Sequence, residues 1–332
     1  MLNRDEERFT PRCSRWDRSK VREPKKKQPQ VNRMVMASYF CVFAVTLIAA
    51  RPVGNPAPEA AITDVSAPPL IWSELQMADE DVHRGELILV NNEISYIFPE
   101  TEELVYIHEK KSDSYSVQDY GQKLKPQTLE ALNQMCDDFR LSFKDAGVNI
   151  ISSYRTYEFQ EQLMRQYTQQ MGAQEAARWC AKPGGSEHHT GLALDLGALS
   201  GGVPLGFDGQ GDYAWIGRNC DIYGFIVHYT ADKTETTGFY DEPWHLRYVG
   251  IPHASLMKKN GFCLEEYIDW LKNYPWEGEH LRCGGESGMY EIYYVAANPS
   301  GSTKVPVPPD GEYRVSGNNV DGFIVTIRRT ES

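Results

Sequence analysis

The chain has 332 residues, enough for one large domain or two small ones, and its 41% apolar and 11% aromatic content can furnish a real core. A formal charge of −12 argues against a nucleic-acid partner, which would need a basic patch. The charge is uneven: residues 1–33 carry eleven Lys and Arg against five Asp and Glu, a net of +6, which leaves −18 for the rest.

Residues 1–33 read as a basic leader. Lys25, Lys26 and Lys27 precede an uncharged apolar run over 34–50, the positive-inside pattern. This run is expected to be a transmembrane anchor with the remainder of the chain outside. A signal peptide cleaved after Ala49-Ala50 is the competing reading, which the long leader and the following Arg51-Pro52 disfavour. Residues 51–72 are rich in Pro and Ala and read as a linker.

Over 73–124 two short strands, 87–90 and 94–97, flank an Asn91-Asn92 turn. The spacing of Leu129, Leu132, Met135, Cys136, Phe139 and Phe143 predicts a helix over 126–146, stopped by Gly147. A strand over 148–152 runs into Tyr154-Arg155. A second helix spans 158–181, with a break at Gly172. Strands follow at 192–197, 224–229 and 245–249, with helices at 213–223 and 264–273. The segments 290–295 and 322–327 read as strands of a small β appendage over 276–332. This order points to an α+β fold, with helices packed on a small, largely antiparallel sheet. Seven cysteines without a C-x-x-C pair leave one or two disulfides, or buried thiols, open.

The chemistry concentrates in two stretches, 186–195 (SEHHTGLALD) and 242–245 (EPWH). On a strand, Leu192, Leu194 and Leu196 face one way, and Ala193 and Asp195 the other. An aspartate on so apolar a strand is costly without a partner, and a metal is a suitable one. His188 or His189 can fold back beside Asp195, and His245 can supply a third ligand. Pro243 restrains Glu242 to extended geometry, so the arrangement differs from a helical H-E-x-x-H. Two imidazoles, one ligating carboxylate and one spare carboxylate make up a zinc site with an open position and a general base. A structural alternative for Glu242 is a simple ion pair with Arg247.

The pattern S-x-H-x-x-G-x-A-x-D followed by E-P-W-H resembles the VanY-type D-alanyl-D-alanine carboxypeptidases, a zinc peptidase family. The likeness covers 125–275, the expected zinc carboxypeptidase domain, and includes Ser153-Tyr154-Arg155, Tyr223-Gly224-Phe225-Ile226 and Arg247-Tyr248-Val249-Gly250. The resemblance implies one zinc ion held by His188, Asp195 and His245, with Glu242 as general base. It takes the first histidine of the pair, not His189. It also implies that Arg155 contacts the substrate, with Ser186 and Ser153 in support. The implied substrate is the D-Ala-D-Ala end of peptidoglycan stem peptides, cleaved by metal-activated water. With the anchor, it implies a single-pass protein of the bacterial cell membrane with its catalytic domain outside, or a secreted form after signal cleavage. An L,D-carboxypeptidase acting on tetrapeptide stems and a non-catalytic wall-binding module of the same fold are the alternatives.

Overall fold

Residues 72–101, 103–285 and 288–329 are described by the computed structural model. The chain divides into two units, Met1–Val65 and Ser66–Ser332, and all described residues belong to the second. The basic leader, the apolar run 34–50 and the linker up to residue 71 lie outside the described residues. Among the described residues no helix is long and apolar enough to cross a membrane. This corrects the expected single-pass membrane localisation and the membrane partner read with it. The physical weakness of that expectation is length: even a fully helical run of 17 residues reaches only about 26 Å, short of a hydrocarbon core of about 30 Å.

The first long helix runs Pro126–Ser142. Pro126 takes the first turn, where its missing N–H breaks no helical bond. Leu129, Leu132, Met135, Cys136 and Phe139 are buried along one face, as their spacing requires. The helix ends earlier than expected, at Ser142, and Gly147 lies inside the strand Ala146–Ser152. The second long helix, Tyr157–Met171, is capped by Thr156, whose side chain accepts from Phe159 N. Such a cap stabilises by about 1 kcal/mol. Gly172, at φ +84°, breaks this helix from the short turn Ala173–Ala176, because a positive φ is strained for residues with a Cβ.

The central sheet has the spatial order Tyr115–Val117, Ala146–Ser152, Ala193–Ser200, His245–Tyr248, Phe225–Val227, and Val203–Leu205 pairs with the outer end of Ala193–Ser200. Only the first two strands are parallel, and the other pairings are antiparallel. Helix Pro126–Ser142 and this sheet share one core, with Leu192, Leu194, Leu196, Val148, Ile150 and Leu246 facing it. Fully burying one such side chain stabilises by roughly 1.5–3 kcal/mol. The alternation of the strand leaves Ala193 and Asp195 for the opposite face.

Two expectations are corrected. The segments 87–90 and 94–97 form no strands. Leu87, Ile88, Leu89 and Val90 are buried, yet their backbone joins loops, as in Leu89 N to Asn318 O at 3.1 Å. An apolar run reports burial, not a neighbouring strand. The helix His253–Asn260 was not foreseen.

The C-terminal residues form a four-stranded antiparallel sheet ordered Leu281–Gly285, Gly288–Ala296, Gly322–Arg329, Glu312–Gly317. Thr303–Val307 pairs instead with Ser73–Met77. Ile292, Tyr294 and Ile324 of this sheet share a core with Leu264, Tyr267, Ile268 and Leu271 of the helix before it. Buried His253 joins the same parts, with Nδ1 2.8 Å from the Tyr267 hydroxyl and Nε2 2.8 Å from Thr326 Oγ1. The five described cysteines are unpaired, and Cys136, Cys180, Cys220 and Cys263 are buried.

Candidate metal centre

Strand register assembles the centre. Asp195 stands directly opposite His245 on the adjacent antiparallel strand, and Ala193 opposite Arg247. Residues opposite one another share a face, so the carboxylate and the imidazole meet without any loop adjustment. On the other side Asp195 pairs with Ser152, just past an irregularity between Ile150 and Ser152.

His188 arrives on a single 3-10 turn, Glu187–Thr190, capped by the Ser186 side chain. Gly191 closes the turn in the left-handed region at φ +68°, where a Cβ would meet Leu104 at 2.5 Å. That turn carries the chain from His188 directly into the Asp195 strand.

One ligand atom from each of His188, Asp195 and His245 lies within 4.8 Å of the others, and all three residues are buried. His188 Nε2 is 3.3 Å from Asp195 Oδ2, and His245 Nδ1 is 3.0 Å from Asp195 Oδ1. The far nitrogen of each imidazole has its own partner. His188 Nδ1 lies 2.7 Å from the Ser153 carbonyl, and His245 Nε2 lies 2.9 Å from Glu187 Oε2. With a metal bound, a proton on each far nitrogen would leave the near one as a lone-pair donor. In the metal-free chain Asp195 and Glu187 raise the His245 imidazole, against the cost of burial, to about 9, so that both of its nitrogens donate. His189 is arranged otherwise. Its Nδ1 donates to the Arg155 carbonyl and its Nε2 accepts from Gly184 N, so both ring nitrogens are consumed by backbone.

Arg155 reaches the same point. Its Nη2 donates to Asp195 Oδ2 at 2.7 Å, and its Nε donates to Ser152 Oγ at 2.9 Å. Buried Gln160 accepts from its Nη1 at 3.4 Å and donates to the Ala181 carbonyl. Ser186 lines the cavity, whereas the Ser153 hydroxyl accepts from Lys123 N. Ser153 therefore serves the centre through its carbonyl. Arg155, Glu242, Ser186, Trp244, Tyr167 and Trp179 line a cavity of about 100 Å³ together with the three candidate ligands.

The charges follow from surroundings. Burial would raise Asp195, yet His188, His245 and Arg155 hold its carboxyl well below the usual range. Burial, with Arg155 beside it, pushes the His188 imidazole down to about 4, so it is neutral near pH 7. Glu242 takes the opposite course: burial pushes its carboxyl up to about 8 against the pull of His245 and Arg155. Its backbone is fixed at both ends, N–H to the Tyr229 carbonyl and carbonyl to His245 N–H. The structural alternative for Glu242 is answered here, because Arg247 pairs with Glu187 at 2.6 Å.

Glu187 and His228 were the residues the motif did not single out. Glu187 is the unspecified position of S-x-H, and only the folded register brings it behind His245. His228 bridges Glu187 Oε2 and Glu265 Oε2, each at 3.0 Å. Against the cost of burial, these two carboxylates raise it to about 10, so both of its nitrogens donate. The alternation of an apolar strand with a histidine at its end was the available signal for His228. Glu187 offered none.

A family model described as VanY, D-alanyl-D-alanine carboxypeptidase, matches residues 121–251. A D-alanyl-D-alanine carboxypeptidase of Enterococcus faecium is 34% identical over 264 residues, which cover 76% of this chain and 78% of that one. Among solved structures, the vancomycin resistance D,D-dipeptidase VanXYg, in complex with a D-Ala-D-Ala phosphinate analogue, superposes with a TM-score of 0.70 at 30% identity. It covers 78% of this chain and 100% of its own. The vancomycin resistance D,D-pentapeptidase VanY of a VanB-type cassette, in complex with Zn(II), is 31% identical, with coverage of 55% and 98% and a TM-score of 0.46.

Proposed function

Because this chain belongs to the VanY family of D-alanyl-D-alanine carboxypeptidases, we propose that it removes the terminal D-Ala from peptidoglycan stem peptides, with His188, Asp195 and His245 holding one zinc ion and Glu242 moving the proton. One observation carries the reading: three converging donors, each histidine fixed from behind, share a cavity with the buried Glu242 carboxylate, which has no ion-pair partner among the described residues. Two nitrogens and one carboxylate oxygen are a donor set that suits a catalytic zinc with an open position.

Bound there, the ion would supply Lewis acidity, polarising the scissile carbonyl and acidifying a water. Glu242 takes the proton of the attacking water. As the new C–O bond forms and the C–N bond breaks, it delivers that proton to the leaving amine of D-Ala. Its raised affinity for a proton suits this exchange. Arg155, anchored by Ser152 and Gln160, offers its guanidinium to the anionic end of the substrate or to the developing oxyanion. Ser186 lies within the same cavity and supports the bound peptide.

The test is product analysis by mass. Zinc-loaded protein is incubated with pentapeptide stems, tetrapeptide stems and free D-Ala-D-Ala, with and without chelator. Loss of a single D-Ala from the pentapeptide, abolished by chelator, is expected. Release from the tetrapeptide alone would reassign the enzyme to L,D-cleavage, and cleavage of the free dipeptide alone would make it a dipeptidase. No cleavage of any of the three would overturn the proposal.

A further inference from the structure

Behind His245 lies a buried polar chain that the reaction does not use directly. Glu187 is 1% exposed and has three donors on its two oxygens. Oε1 accepts from Arg247 Nη1 at 2.6 Å, and Oε2 faces both His245 Nε2 at 2.9 Å and His228 Nδ1 at 3.0 Å. Arg247, wholly buried, is fixed in turn: its Nη2 donates to the Glu86 and Ile88 carbonyls and its Nε to the Tyr248 carbonyl. His228 continues to Glu265, on the helix Leu264–Leu271, and Glu265 accepts from Asn91 Nδ2. The Tyr229 ring stacks on both His245 and His228, at centroid distances of 4.7 and 4.6 Å.

We infer that Glu187 is a positioning residue for the metal centre: by accepting the Nε2 proton of His245 it fixes that ring's tautomer and orientation and so presents Nδ1 beside Asp195. The inference rests on the reading of His245 as a ligand. An imidazole has two tautomers, and the one protonated on Nδ1 cannot coordinate through that atom. A carboxylate behind the ring selects the other and makes the near nitrogen a stronger donor. The apparatus around Glu187 is built to hold it ionised and still. Arg247 and His228 supply the positive charge, and the segment 86–91 and the helix Leu264–Leu271 hold those two residues in place.

A glutamine cannot replace it. Its oxygen and its NH2 group must face Arg247 on one side and the two imidazoles on the other. With the NH2 toward Arg247 two donors face each other; with it toward the imidazoles it donates to His245 Nε2 and favours the tautomer protonated on Nδ1, which cannot coordinate there.

The experiment uses the full chain, wild type and Glu187→Gln, stripped of metal by chelator and titrated with zinc against a chromophoric chelator. Circular dichroism and a thermal melt report whether each is folded. Wild type should bind one zinc per chain, and the folded variant should bind about 10- to 100-fold more weakly. Equal affinity in the two would overturn the inference, while failure of wild type to bind zinc would instead remove the ligand reading beneath it. Should Glu187→Gln not fold, nitrogen-15 NMR of metal-free wild type, at a pH where the His245 ring carries a single proton, decides, since bound zinc would impose the Nε2 proton by itself. The His245 proton should sit on Nε2, and a proton on Nδ1 would overturn the inference.

Discussion

The two sides of His245 are built from the same residue type and treat it oppositely. Behind the ring, Glu187 is buried, yet His228 and Arg247 hold its carboxyl well below the ordinary range. In front, Glu242 is buried to a similar degree, and burial raises it to about 8. The difference is the supply of donors. Glu187 has an arginine and two imidazoles on its oxygens, whereas Glu242 lines a cavity and feels His245 and Arg155 only through space. A permanent charge suits a carboxylate that orients a neighbour. A proton affinity near the working pH suits one that transfers protons.

The largest effect that sharpens this comparison is expected from Arg247→Met. It leaves Glu187 buried with one oxygen unpartnered, and losing one member of a buried pair costs about 3–5 kcal/mol. Urea unfolding measures it. A loss within about 1 kcal/mol, the range of an exposed pair, would mean that the wall behind His245 is wetter than the fold indicates.

Next comes Arg155→Lys on the cavity side. Lysine keeps the charge but loses the fork that spans Ser152, Gln160 and the substrate position. A loss of about 100-fold in kcat/KM on pentapeptide is expected, the scale of one lost oxyanion donor, while the melt stays near wild type. Unchanged kinetics would leave Arg155 as a structural partner of Asp195 alone.

The most gradual effect is a slope, at most about 1.4 kcal/mol per pH unit. In metal-free protein the folded Glu242 carboxyl titrates at about 8 against an ordinary 4.5, so between those values the folded chain binds the extra proton. Its contribution to stability is full below about pH 4.5 and is lost as pH rises through about 8. Glu242→Gln removes that slope. Its stability relative to metal-free wild type should therefore rise steadily over this window. Parallel urea-derived stability curves for the two proteins would contradict the assignment.

Much of the cavity side was legible in the sequence because its residues carry chemistry that is unusual where it stands. Asp195 on a leucine strand and Glu242 before a proline are conspicuous on residue type alone. The wall behind was not legible. Glu187 is an ordinary acid beside two histidines, and its role depends on Arg247 lying two residues beyond His245 on a paired strand. Register of that kind is a long-range property. Helices were legible where apolar spacing was strong, as at Leu129, Leu132 and Met135. The segment 87–90 was misread because a buried apolar run looks like a strand whether or not another strand lies beside it. The C-terminal sheet was half seen: the two central strands are apolar, and the flanking Leu281–Gly285 and Glu312–Gly317 are glycine-bearing or polar.

The central claim is that Glu242 moves the proton while His188, Asp195 and His245 hold the metal. Its most direct test is the turnover of Glu242→Gln on pentapeptide, measured on protein whose zinc content is determined in the same preparation. The account predicts one zinc per chain and a rate lower by about 10²- to 10⁴-fold, the range for losing a general acid–base group. A zinc-replete variant that still releases D-Ala at a rate near wild type would contradict it.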